Sequence, residues 1–214
     1  MAGLFNWSAR KPDAAPAAAT VEVSEPPATT SKVFPKFLSA LTHQPAAVLV
    51  DVSGVVGANV AFFGDRLACK LVVEDLFSIL EAHARRPTPG GLAAVLLKQL
   101  ESLDPESVNG ILCWDLFDYL DKPTGQALAA RMVTLLKKGG ALYGFFGTAA
   151  AELRHYNRFI VQSQNSFRLR QYPATPTKRH VLVNRDLAKI FEGLAVTESV
   201  LLKTGARETL FRKN

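Results

Sequence analysis

The sequence predicts an α/β fold, with a doubly wound, mostly parallel sheet that ends in an antiparallel C-terminal hairpin. Three observations carry this. Apolar runs at 46–52, 69–73, 108–114 and 141–146 are continuous rather than alternating, as strands buried on both faces must be. Helical patterns separate them at 59–67, 92–100 and 123–136, so strand and helix alternate along the chain. Finally, apolar runs at 196–202 and 208–211 flank Lys203-Thr204-Gly205-Ala206-Arg207, a glycine-bearing connection that reads as a hairpin.

Each element has its own signal. Residues 1–31 are rich in Ala, Pro, Thr and Ser, with Pro12, Pro16, Pro26 and Pro27 breaking any regular element; they read as a disordered tail ahead of a domain at 32–214. Phe34, Phe37, Leu38 and Leu41 share one face of a short helix. The run 46–52 ends at Ser53-Gly54, and the strand at 69–73 closes on Glu74-Asp75, which makes a βαβ unit with a right-handed crossover. Phe77-Ser78-Ile79-Leu80 is open to two readings, a third strand or a helical turn, and 85–91 is a loop. The helix at 123–136 starts with Pro123 and carries Leu128, Met132, Leu135 and Leu136 as its stripe. Lys137 and Lys138 complement its dipole and Gly139-Gly140 stops it. Asn184 is a cap for a last helix through Asp186, Leu187, Ile190 and Phe191.

Composition narrows the function classes. No apolar run approaches the ~20 residues of a membrane span, and the first residues lack the apolar stretch of a secretory signal, so the expected location is the cytoplasm. Cys69 and Cys113 sit among apolar neighbours and read as buried small hydrophobes; a nucleophilic role for Cys113 is the rarer alternative. His43, His83, His155 and His180 have no metal-ligand spacing, so no metal is expected.

In open α/β sheets the ligand sits at the carboxyl ends of the strands, where strand order reverses. The first strand delivers Asp51-Val52-Ser53-Gly54-Val55-Val56-Gly57-Ala58-Asn59 there, and glycines let backbone approach a ligand beside a helix N-terminus. Glu74 ends the second strand seventeen residues past Gly57, where a carboxylate accepts from ribose hydroxyls; the plainer reading of Glu74-Asp75 is a helix cap. Together with Ile111-Leu112-Cys113-Trp114-Asp115, the stretch Leu135 to Leu142 around Gly139-Gly140, and the terminal hairpin, these features in this order resemble the class I S-adenosylmethionine (SAM)-dependent methyltransferases. The resemblance implies a seven-stranded Rossmann-like sheet and SAM as cofactor. It implies that Asp51, Ser53, Gly54 and Gly57 line the methionine moiety, with Asn59 beside them. Glu74 would hold the ribose with Asp75 alongside, and Trp114 and Asp115 would face cofactor and substrate entrance. Ser53 and Val55 stand where the family's glycine turn has glycine, and valine resists a positive φ. A nicotinamide-binding domain is a competing reading, but its Gly-x-Gly-x-x-Gly turn is not met.

The methyl acceptor, small or macromolecular, is not legible. Candidates for a general base by location are Asp115, Asp118, Tyr119, His155 and Tyr156. Within an insertion at 148–185, residues 153–185 hold Arg154, Arg158, Arg168, Arg170, Lys178, Arg179 and Arg185 with no Asp or Glu. Tyr156, Phe159, Phe167 and Tyr172 are interleaved among them. This segment suits nucleic acid, an anionic small molecule or an acidic protein, or else a solvated loop. Two functions follow: a SAM-dependent methyltransferase, or a non-catalytic module on the same fold that binds a partner through this segment.

Overall fold

The four apolar runs form neighbouring parallel strands. The computed structural model describes residues 28–43, 45–148, 153–154, 156–171, 177–178, 180, 182, 184–203 and 205–214. In chain order these form β1 (Thr29–Thr30), α1 (Phe34–Thr42), β2 (Val48–Asp51) and α2 (Gly57–Val60), which runs on as a π-helical turn (Ala61–Arg66). Then come β3 (Lys70–Val73), α3 (Leu76–Arg85), α4 (Gly91–Gln99), β4 (Val108–Trp114), a 3-10 turn (Leu116–Tyr119), α5 (Lys122–Leu135) and β5 (Leu136–Gly147). The remainder is β6 (Leu153–Arg154), β7 (Asn157–Ser163), β8 (Ser166–Gln171), β9 (Thr177–Lys178), α6 (Asn184–Ile190), β10 (Leu194–Leu201) and β11 (Ala206–Lys213).

The main sheet runs β10-β11-β5-β4-β2-β3. β3, β2, β4 and β5 are parallel, and β11 joins antiparallel to both β5 and β10. Among the described residues it therefore has six strands, not seven. The ambiguous Phe77–Leu80 run is helical. Asp75 caps α3 by accepting from Ser78 N at 3.0 Å, and Leu76, Phe77 and Leu80 face the core together at helical spacing. The chain leaves β2 toward β3, then returns through α3 and α4 to β4 on the other side of β2. The strand order thus reverses between β2 and β4.

A core lies on each face. On one, α3, α4, α5 and α6 pack Leu80, Leu96, Leu128, Met132 and Ile190 against Val50, Ile111 and Leu142 of the strands. On the other, Phe34, Phe37 and Phe63 meet Leu49, Leu112, Trp114, Tyr143 and Phe145. α5 ends at Leu135, and the Gly139 stop lies inside β5 as a kink with φ +74°, a conformation that suits glycine. Lys137 and Lys138 consequently lie past the helix, not in its last turn.

Two regions depart from expectation. The basic insertion is not one loop: β7 and β8 form an antiparallel hairpin, and β1 adds to β8 as a third strand. The tail boundary also moves. Thr29 and Thr30 pair with Phe167 and Ser166, and Ser31 is buried, so these residues belong to the folded unit, while 1–27 lie outside the described residues. Among the described residues no helix is long and apolar enough to cross a membrane.

Candidate functional site

The carboxyl end of β2 is sealed by its own hydrogen bonds. Asp51 Oδ1 accepts from Ser53 N at 2.9 Å, Ser53 Oγ at 2.8 Å and the Trp114 indole at 2.8 Å. Burial pushes the Asp51 carboxyl up to about 6, although these donors pull the other way. None of residues 51–59 has a positive φ, so Val55 sits in the turn without strain and points outward, 66% exposed. A Cβ on Gly54 would lie 2.8 Å from Asp75 Oδ2, so that glycine lets the turn close against the α3 cap. A Cβ on Gly57 would meet nothing within 4 Å.

The other expected contacts separate into two groups. Glu74 turns toward α4 and accepts from Gln99 Nε2 at 2.6 Å, whereas Asp75 lines the hollow beside the turn. Asn59 is buried and occupied by the hairpin, donating to Phe159 O at 2.9 Å and accepting from Val161 N at 2.8 Å. Trp114 is fully buried at φ +47°, a strained setting for a bulky residue, and its ring stacks on Phe159 with centroids 4.7 Å apart. Asp115 Oδ2 accepts from Asn157 Nδ2 at 3.0 Å and from Tyr119 OH at 3.4 Å. Asp118 is buried against the end of β5, accepting from Gly147 N at 2.8 Å. Tyr156 packs edge-on against Tyr119 and Phe77, with centroids 4.7 Å and 5.4 Å away. His155 lies outside the described residues.

Ser53, Gly54, Asp75, Phe77, Tyr156, Asn157 and Arg158 thus converge at the strand-order reversal, and the hollow they leave is about 10 Å³. That holds about one water, whereas pockets for drug-sized ligands begin near ~300 Å³. Tyr156 and the first two residues of β7, Asn157 and Arg158, line one side of the hollow as a strap. Among the described residues the hollow in this arrangement is therefore smaller than a nucleoside cofactor such as SAM. A larger groove of about 720 Å³ lies elsewhere, between α4 and α5 around Leu97, Asp104 and Arg131. Among the described residues no cluster of His, Cys, Asp or Glu forms a metal site.

Asn157 and Arg158 carry this closure and were not singled out as site residues from sequence. The signal was present in Phe167-Arg168-Leu169-Arg170, a strict apolar and basic alternation beside the Gln164-Asn165 turn, which reads as a strand. Phe159 and Phe167 point into the core and Tyr156 is buried as well, so these three aromatics of the basic segment are packed rather than displayed, while Tyr172 lies outside the described residues.

No family model and no curated protein matches the sequence. Solved structures do resemble it. A Burkholderia thailandensis 1,6-didemethyltoxoflavin-N1-methyltransferase, with 1,6-didemethyltoxoflavin and S-adenosylhomocysteine bound, superposes with a TM-score of 0.51 at 15% identity, covering 86% of this chain and 77% of its own. A SAM-bound amino pentose methyltransferase from Micromonospora echinaspora does so at TM-score 0.51 and 17% identity, covering 85% and 89%. A Pyrococcus horikoshii protein gives TM-score 0.51 at 11% identity, covering 85% and 88%. The chain has the fold of the class I, Rossmann-like, SAM-dependent methyltransferases.

Proposed function

We propose that this chain is a non-catalytic binding module built on the methyltransferase fold. One observation carries the reading: at the carboxyl end of β2, where a sheet of this kind would receive its cofactor, Tyr156-Asn157-Arg158 leave a hollow of about 10 Å³ among the described residues. The strap is anchored at three kinds of contact. Asn157 donates to Asp115, Tyr156 packs on Tyr119 and Phe77, and the Asn59 side chain holds the edge of β7 just beyond it. Displacing it costs all of these together. Calorimetric titration of the full chain with SAM and S-adenosylhomocysteine tests the reading. No heat and no thermal shift at millimolar ligand is the expected result; micromolar binding of either overturns it.

The partner proposed is anionic, nucleic acid or an acidic protein. Arg158 pairs across the hairpin with Arg170, and Arg168 with Ile160, so strand alternation sets these four on the face opposite Phe159 and Phe167. With Phe159 and Phe167 inside, this face presents no stacking ring among the described residues and works by charge. Affinity for a duplex should fall steeply as salt rises; salt-independent or absent binding removes nucleic acid from this proposal.

A second reading keeps the SAM-dependent methyltransferase, with an unidentified acceptor. Asp75, Asp115 and the Ser53-Gly54 turn still meet at the carboxyl ends of β2, β3 and β4, and two of the similar structures hold SAM or its demethylated product. On this reading the strap withdraws before any cofactor enters, and the same titration decides between the two.

A further inference from the structure

We infer that the short strand β1 is the latch that holds the strap in the cleft. This rests on the reading above, in which Tyr156–Arg158 fills the site. The strap's Asn157 and Arg158 are the first two residues of β7, which is held along both sides. On its outer edge, Asn59 takes the Phe159 carbonyl and the Val161 amide. On its inner side β7 pairs with β8, and β8 in turn pairs with β1. Ser31, directly after β1, ties this small sheet to the main one. Its amide donates to Asn165 O at the hairpin turn (2.7 Å), while its hydroxyl donates to the buried Glu208 carboxylate on β11. Glu208 also accepts from the Tyr143 hydroxyl on β5, so the anchor point is fixed from a second strand. The same Ser31 oxygen accepts from Phe34 N at 2.7 Å, which fastens the latch to the start of α1.

β1 is the weakest of these fastenings. It spans two residues, and Thr30 is exposed, whereas the β7–β8 pairing runs from Asn157 to Gln171 over a buried face. Local opening begins where few buried contacts and short ladders hold the backbone. When β1 leaves, the hairpin loses its tie through Ser31 to Glu208, and Phe167 loses the edge that covers it. Lifting β7 then uncovers Trp114, which lies directly beneath Phe159.

The ladder itself supplies the test. Ser31 N bonds to Asn165 O, so by antiparallel alternation Thr29 faces Phe167 in a hydrogen-bonded pair while the Thr30 amide points away from β8. Thr29→Pro removes a ladder bond and Thr30→Pro does not. In the 214-residue chain carrying Trp7→Phe, Trp114 is the sole indole. Thr29→Pro is expected to speed exchange of the Val161 amide about fivefold and to raise acrylamide quenching of Trp114 in step. Thr30→Pro should leave both at wild-type values. If Thr29→Pro does not fold, Ser31→Ala, which removes only the tie to Glu208 and the turn into α1, is expected to move both readouts in the same direction. The latch is overturned if the Ser31 or Phe167 amide exchanges faster in the variant while Val161 and Trp114 stay as protected as in wild type. Failure of the underlying reading looks different: the wild-type chain binds S-adenosylhomocysteine.

Discussion

The two faces of the main sheet are built on different plans. One is covered by α3, α4, α5 and α6, elements that arrive between successive strands and bury mainly aliphatic side chains such as Leu80, Leu96, Leu128 and Met132. The other is covered by α1 and by the β7–β8 hairpin, with Phe34, Phe37, Trp114, Tyr143, Phe145, Phe159 and Phe167 in mutual ring contact. On the helical face the core borders the cleft at one corner, where Phe77 and Tyr119 receive Tyr156. On the aromatic face packing and cleft are one, because Phe159, which completes the core, lies a residue beyond the strap. Truncating it should show this most strongly. Phe159→Ala is expected to cost about 4 kcal/mol in urea unfolding and also to expose Trp114 to quencher. Met132→Ala, buried on the helical face, should cost about 3 kcal/mol and leave Trp114 protected. Equal Trp114 responses would dissolve the contrast.

The next effect concerns the seam between the faces, where Asp51 is held by Ser53 and by Trp114. Its carboxyl is raised from 3.8 to about 6, so the folded chain binds a proton more tightly than the unfolded one. The stability linked to that proton is fully present below about pH 3.8 and is lost as pH rises to about 6, a change of about 3 kcal/mol. Asp51→Asn has no such titration. Subtracting the variant's unfolding free energy from the wild type's between pH 4 and 7 should therefore give a falling difference of that size. A flat difference would mean that Asp51 is better solvated than its burial indicates.

What sequence could reveal follows the same division. The strands at 46–52, 69–73, 108–114 and 141–146, the helix beginning near Pro123 and the terminal hairpin were legible because continuous apolar runs and 3.6-residue stripes are local signals. The turn after Asp51 was legible as a place. Its closure was not, since it depends on Asn157 and Asn59, each polar and unremarkable in isolation, meeting Asp115 and the β7 edge from distant points in the chain. The basic residues of 153–185 draw attention to charge, whereas Phe159 and Phe167 between them decide the packing. Valine resists a positive φ, but the turn needs none at Val55. A consequence is a third prediction. Asn59→Ala leaves the Phe159 carbonyl and the Val161 amide without their side-chain partner, at a cost of about 2 kcal/mol, with amide exchange accelerated along β7 before it rises in β4. Simultaneous loss in both strands would show the hairpin and sheet to open as one unit.

The smallest effect sharpens the comparison from the helical side. Asp121 caps α5, accepting from Thr124 N at 2.9 Å, and the Thr124 hydroxyl together with this backbone bond holds its carboxyl below the usual carboxylate range. A depressed carboxyl stabilises the fold above its unfolded value and loses that contribution as pH falls through the folded one. Asp121→Ala should therefore cost about 1 kcal/mol at neutral pH, with the gap from wild type narrowing in acid. Asp121→Asn keeps an acceptor for Thr124 N and should recover most of the loss, which separates the cap from the charge. α5 packs Leu128 and Met132 beneath the sheet, on the face opposite the core that holds Trp114, so in both variants the quenching of Trp114 should equal that of wild type. A cap loss that exposed Trp114 would mean that the sheet transmits disorder from one face to the other, and the aromatic face would then owe its closure to the helices beneath it as well as to the hairpin.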